Sequence, residues 1–175
     1  MSGSPYITWS PDGSGFTTTP AAYREFVRTA RLRTVVATQL RRLRRGADLI
    51  AVGASIRNAY FYADVPPAVA EAISDAYRRL GGDAVELVVG GEPADDPIVE
   101  FLTGPQEVFL HVRGPNALYS ACKRCWASLF TDRAIIYREV RAIDQLSVDL
   151  SVRIRPVAAS RLAPQSRELV AIGPR

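Results

Sequence analysis

The sequence predicts an α/β domain of the α+β kind, with several helices packed on a small mixed or antiparallel sheet. Three observations predict it. Apolar stripes at three- and four-residue spacing alternate along the chain with short runs in which every second residue is apolar. Prolines and paired glycines punctuate these stretches at Thr19-Pro20, Pro66-Pro67, Gly81-Gly82 and Pro115. The composition, 47% apolar with 23% charged residues, is that of a globular chain able to build a core. At 175 residues the chain suits one domain, or one subdomain of something larger.

Residues 1–15 hold Pro5, Pro11 and several Ser and Gly around Tyr6 and Trp9, and are expected to form an irregular lead-in. Thr19 and Pro20 then read as N-cap and first residue of a helix whose face carries Tyr23, Phe26, Val27 and Ala30. A second helical stretch, about Arg33 to Arg45, carries Val35, Val36, Leu40 and Leu43, and a third, about Ala47 to Tyr60, carries Leu49, Val52, Ile56 and Tyr60. Pro66-Pro67 opens a fourth, with Val69, Ile73, Ala76, Tyr77 and Leu80 in its stripe and Gly81-Gly82 at its end. Strands are expected over Ala84 to Val89 and Gln106 to Val112, joined by a Gly- and Pro-containing loop with Asp95-Asp96. Pro115 starts a helix bearing Leu118, Cys122, Cys125, Trp126 and Leu129, and Thr131 caps a further helical segment to Ala142. Alternation from Leu146 to Ile154 predicts a last strand. The domain is thus expected over 16–156, with 157–175 a loose tail containing a short strand at Leu169 to Ile172.

The longest apolar runs fall far short of the roughly 18–20 residues that span a bilayer. Met1 to Gly15 lacks a basic start followed by an apolar stretch, so a cytoplasmic protein without membrane attachment is expected. Net charge is +4, and of the 22 basic residues only Lys123 is lysine. Cys122 and Cys125 have C-x-x-C spacing, but the single histidine, His111, cannot complete a zinc set, and both cysteines lie inside an amphipathic helix. Two buried thiols are expected there, and His111 is expected as a partly exposed strand residue.

The run from Ala121 to Arg138, Ala-Cys-Lys-Arg-Cys-Trp-Ala-Ser-Leu-Phe-Thr-Asp-Arg-Ala-Ile-Ile-Tyr-Arg, is very similar to a segment of phosphoenolpyruvate synthases. These share their architecture with pyruvate phosphate dikinases and rifampicin phosphotransferases. Phe16 to Phe26 resembles the family's first helix entry, Pro66 to Gly82 the helix before its nucleotide-binding strand, and Gln106 to Gly114 the strand that follows. The matches occur in family order from about Phe16 to Val152. The resemblance implies the N-terminal part of an ATP-grasp domain, with ATP and Mg²⁺ as cofactors. In the full enzymes this domain cleaves ATP and passes a phosphoryl group to a histidine on a swivelling domain, and a barrel domain phosphorylates pyruvate.

Site residues depart from the pattern. The family's early Gly-Gly-Lys segment has no counterpart, since no basic residue precedes Arg24. Gapless alignment back from Val112-Arg113-Gly114 puts Val89 where the family carries a phosphate-binding arginine, and Gly90 and Gly91 at two serines. That replacement removes a full charge and its forked donors. Asp95 and Asp96 fit the family's acidic pair. Leu102-Thr103-Gly104-Pro105 replaces Phe-Ala-Gly-Gln, so Gly104 persists while Pro105 lacks an amide donor. A nearby threonine becomes Val108, the glutamine expected near the adenine becomes Arg155, and an asparagine becomes His111. No second ATP-grasp half is recognised after Pro156. Gly104, Asp95 and Asp96 are the remaining nucleotide-site candidates, with no catalytic residue and no metal ligand.

A non-catalytic module is therefore expected, with at most residual ATP binding and an apolar face suited to a protein partner or self-association. In that case Trp126, Leu129, Phe130 and Tyr137 serve as core. Alternatives are a subunit of a split synthase completed by another chain, and an arginine-rich module for an acidic partner. The latter rests on Arg24, Arg28, Arg31, Arg33, Arg41, Arg42, Arg44 and Arg45 on adjacent helices. A solvated helix face is the expected state of that stripe, and nucleic acid is not an expected partner.

Overall fold

Proline and short hydroxyl or carboxylate residues decide where the helices begin, and a sheet forms from the segments between. The computed structural model describes residues 4–93 and 108–157. Its helices are α1 (Pro20–Thr29), α2 (Leu32–Arg44), α3 (Leu49–Tyr62), α4 (Pro67–Arg79), α5 (Pro115–Ala127) and α6 (Asp132–Val140). Pro20, Pro67 and Pro115 each occupy the first turn, where a missing N–H leaves no bond unmade. Thr131 caps α6 as expected, its hydroxyl accepting from the Ala134 amide at 3.2 Å. Asp48 does the same for α3, accepting from Ala51 at 2.9 Å. Thr19 holds the N-cap position of α1 but makes no side-chain cap; its hydroxyl instead donates to the Pro5 carbonyl at 2.6 Å, drawing the chain start onto the domain. Helix α4 ends at Gly81, whose φ of +117° lies where a side chain is strained.

The strands are β1 (Ile7–Trp9), β2 (Phe16–Thr18), β3 (Leu87–Pro93), β4 (Val108–Val112) and β5 (Leu150–Pro156). Among the described residues they make one sheet in the order β1-β2-β5-β3-β4, antiparallel at every pairing. The predicted α+β class, with helices on a small antiparallel sheet, is what forms. Three differences from the sequence expectation stand out. The lead-in is not irregular throughout, because Ile7–Trp9 pairs with Phe16–Thr18. The strand expected from Ala84 starts only at Leu87, since Gly82–Ala84 is a 3₁₀ turn, and it runs on through Gly90-Gly91. The last strand starts at Leu150, not Leu146: Asp144 accepts the Leu146 amide at 3.0 Å, so this stretch is a turn. The strand suggested at 169–172 lies outside the described residues.

Helices and sheet meet in a core rich in aromatic rings. Phe26 and Trp126 have centroids 4.9 Å apart, and Tyr60 lies 5.2 Å from Phe130 and 5.8 Å from Phe26. Side chains of this size each contribute about 1.5–3 kcal/mol when fully buried. Trp126, Leu129 and Phe130 are core as expected, whereas Tyr137 is only half-buried. That last helix instead buries Ala134, Ile135 and Arg138. No helix among the described residues is long and apolar enough to cross a membrane.

Candidate functional site

Strand β3 is the place where the resemblance expects phosphate contacts. Its paired valines suit a strand, and it lies in the sheet between β5 and β4. Leu87 and Val89 project into the core that the helices cover, and both are fully buried. Val89 lies opposite Ile154 on β5 and Phe109 on β4. Its isopropyl group is therefore a packing element of the domain. Further along, Glu92 is ion-paired with Arg153 of β5. The described end of β3 thus offers a buried valine, two glycines and a carboxylate whose neighbouring cation is already engaged. These residues do not fit a magnesium-bound triphosphate, which needs cations and donors at the phosphate oxygens. Asp95, Asp96 and Gly104, and with them residues 102–105, lie outside the described residues.

Arg155, at the position of the expected adenine contact, pairs with Val88 in the sheet. Gly15 abuts the same strand, where a β-carbon would come within 2.6 Å of the Ile154 carbonyl and 2.8 Å of the Arg155 side chain. Lys123, the one lysine, donates from Nζ to the carbonyls of Phe61 (2.7 Å) and Ala63 (3.0 Å). It closes the C-terminal end of α3, where carbonyls lack helical partners and a cation is favoured. Cys122 and Cys125 are both buried, and burial pushes the Cys122 thiol up to about 12, far from thiolate chemistry at neutral pH. Among the described residues, no group of three His, Cys, Asp or Glu is placed to hold a metal ion.

His111 is exposed, and Glu86 bonds both its Nδ1 at 2.8 Å and the Arg113 guanidinium at 2.9 Å. These contacts hold the Glu86 carboxyl below its usual range, His111 contributing most. The pairing slips by a residue between Leu87 and Val89, and His111 takes a φ of +58° there. Histidine is among the non-glycine side chains that best tolerate such a backbone.

The polar bonds of the core were not legible in the sequence. Thr18 is fully buried and accepts the Val152 amide at 2.9 Å, joining β2 to β5. The hydroxyls of Tyr23 and Tyr60 meet at 3.0 Å, and burial pushes the Tyr23 phenol up to about 12. Arg138 donates to the Leu129 carbonyl and, at 2.7 Å, to Gln145, with the Phe130 ring 5.4 Å away. Burial pulls its pKa down to about 10, so it is charged at neutral pH. An arginine near the end of a helix reads as solvated; only the tertiary structure shows that it ties α6 to the turn before it.

The family described as pyruvate phosphate dikinase, AMP/ATP-binding domain, matches residues 11–166. Among curated relatives, the chain is 32% identical over 161 residues to phosphoenolpyruvate synthase of Synechocystis sp., covering 86% of this chain and 20% of that one. It is 33% identical over 150 residues to phosphoenolpyruvate synthase of Deinococcus radiodurans, covering 85% and 19%. It is 30% identical over 143 residues to rifampicin phosphotransferase of Bacillus subtilis, covering 81% and 16%. The chain spans about a fifth of the length of the relatives it matches.

Proposed function

This chain belongs to the pyruvate phosphate dikinase AMP/ATP-binding domain family, and from that premise we propose that it is a non-catalytic, cytoplasmic form of the domain. On this proposal residues 16–156 make part of an ATP-grasp nucleotide-binding half that keeps its scaffold and has lost its grip on the triphosphate. The observation that carries the proposal is Val89. It stands where the family resemblance puts a phosphate-binding arginine, and its side chain is fully buried between Phe109 and Ile154. A phosphoryl group in flight is stabilised almost wholly by fixed positive charge, so loss of that guanidinium removes the main means of catalysis. The engagement of Lys123 with two carbonyls supports the same conclusion, because its ammonium is committed to a helix end.

Residual nucleotide contact, on this proposal, falls to Gly104, Asp95 and Asp96. None of them supplies a cation, and two would repel phosphate without a bridging Mg²⁺. The expected outcome is that about 1 mM Mg-ATP leaves the thermal midpoint of the full chain unchanged, since a ligand stabilises only as its concentration exceeds its dissociation constant. A rise of several degrees would overturn the proposal. Isothermal titration with the same ligand gives an independent reading of the same question.

A further inference from the structure

The eight arginines between residues 24 and 45 are not equivalent once folded. Arg24 is ion-paired with Asp149, Arg28 with Glu25 and Arg44 with Glu139. Arg31, Arg33, Arg41, Arg42 and Arg45 are exposed, and none of them meets a carboxylate among the described residues; Arg33 falls on the Leu40 and Arg44 side of the helix, apart from the other four. Among the described residues Arg41 and Arg42 bond neutral groups of their own helix, Thr38 at 3.1 Å and Gln39 at 2.8 Å. These contacts lay the arms along the helix without cancelling their charge.

Helical geometry gathers these residues. Thr34, Thr38, Arg41, Arg42 and Arg45 recur at three- and four-residue spacing, which keeps them on one face. Arg31, at the N-cap, precedes Thr34 by three. The opposite face buries Leu32, Val36 and Leu40 in the core. No acidic residue occurs from Arg31 to Arg45. The macrodipole favours cations at the C-terminal end, but it opposes one at the N-terminal end, where Arg31 sits with a φ of +54°. Local helix stability therefore accounts for Arg41, Arg42 and Arg45 at the C-terminal end but not for Arg31.

We propose that this face of α2 binds the phosphate backbone of a nucleic-acid duplex without reading its base sequence. At about 1.5 Å per residue the face is about 20 Å long, roughly six base-pair steps of a duplex. Arginine forks and threonine hydroxyls are the groups that contact phosphate and sugar oxygens. An acidic protein partner would favour an apolar centre within a polar rim. Among the described residues the exposed large apolar side chains belong to other elements: Ile50, Phe61 and Tyr62 to α3, Ile136 and Val140 to α6, and Ile143 to the turn after it. A single strand would favour an aromatic stacking platform, and α2 carries no aromatic residue.

The test is fluorescence anisotropy of the full chain with a labelled DNA duplex of about 20 base pairs. Micromolar binding is expected at about 50 mM salt, weakening roughly a hundredfold by about 200 mM, as neutralising about four phosphates requires. Replacing Arg31, Arg41, Arg42 and Arg45 by Gln should weaken binding at least tenfold with the thermal midpoint unchanged. A charge-matched variant with Gln at Arg78, Arg79, Arg113 and Arg141 should stay within about threefold of the unmodified chain. Absence of binding at low salt overturns the proposal, as does an equal loss in the two variants, which would mean net charge alone. Polyglutamate competing as well as duplex, charge for charge, would assign the face to an acidic protein and overturn it too.

Discussion

Consider a single side chain, Val89, and what arginine in its place would do. The backbone there is fixed by pairing on both sides, and the β-carbon points into the helix-covered core. A guanidinium would have to leave water, at an effective cost of several kcal/mol, or drag β3 out of register to reach solvent. Val89→Arg is therefore expected to lower stability by more than about 3 kcal/mol in urea unfolding and to leave ATP binding where it was. Val89→Ile, which adds one methylene to a packed site, should cost no more than about 1–3 kcal/mol. If the arginine variant unfolds at the same urea concentration as the unmodified chain, the side chain at 89 reaches solvent and the account of the lost site fails. On the proposed reading, the residue at 89 has become part of the packing, so restoring an arginine there alone is not expected to restore ATP binding.

At the scale of elements, the crossing of α3 with the start of α6 depends on Gly53. A β-carbon there would collide with the Asp132 carboxylate and come within 2.8 Å of the Arg57 guanidinium. Asp132 and Arg57 form an ion pair at 2.9 Å, and the same guanidinium donates to the Phe130 carbonyl at 2.7 Å. Gly53→Ala gains about 1 kcal/mol of helix propensity but must displace this half-buried pair. A net loss of about 1–2 kcal/mol is expected. In a double-mutant cycle, Asp132→Ala should relieve about 1 kcal/mol of it. Additive losses in the cycle would show that the carboxylate is not what the methyl group meets.

The same elements show what a sequence can disclose. Helix starts at Pro20, Pro67 and Pro115 were legible because a proline acts on its own turn. The three-residue strand at Ile7–Trp9 was not, since so short a run has no period and exists only through its pairing with β2. Leu146 and Val148 continue the alternation of β5, yet the Asp144 turn keeps them out of the strand. At the proposed site, Val89 was legible as a departure from the family resemblance, but its full burial was not. Arg138 was unreadable for a different reason: its partners are a backbone carbonyl and a glutamine, which leave no charge pattern in the sequence.

Across the whole molecule, the ends of α2 and α6 and the turn leading toward β5 are joined by one polar chain whose titration can be followed. Arg44 bonds Glu139 through Nε at 2.8 Å and Nη2 at 3.0 Å, and Gln145 donates to the same carboxylate at 3.2 Å while accepting from Arg138. The Arg44 bond above all, with Gln145 adding to it, holds the Glu139 carboxyl below its ordinary value of 4.5. A carboxyl whose pKa is lower folded than unfolded contributes its stability fully above the unfolded value. That contribution is lost as pH falls through the folded one. The thermal midpoint should therefore be flat through neutral pH and decline below about pH 4.5. Glu139→Gln should reduce stability at neutral pH by about 1 kcal/mol or less, the scale of a partly exposed ion pair, and flatten the decline in acid. The difference between the two proteins should shrink toward zero as pH drops, because protonation does to Glu139 what the substitution has already done. A difference that stays constant down to pH about 3 would mean that Gln145 and Arg138 are held by packing alone, with the Glu139 charge contributing nothing to the junction of these elements.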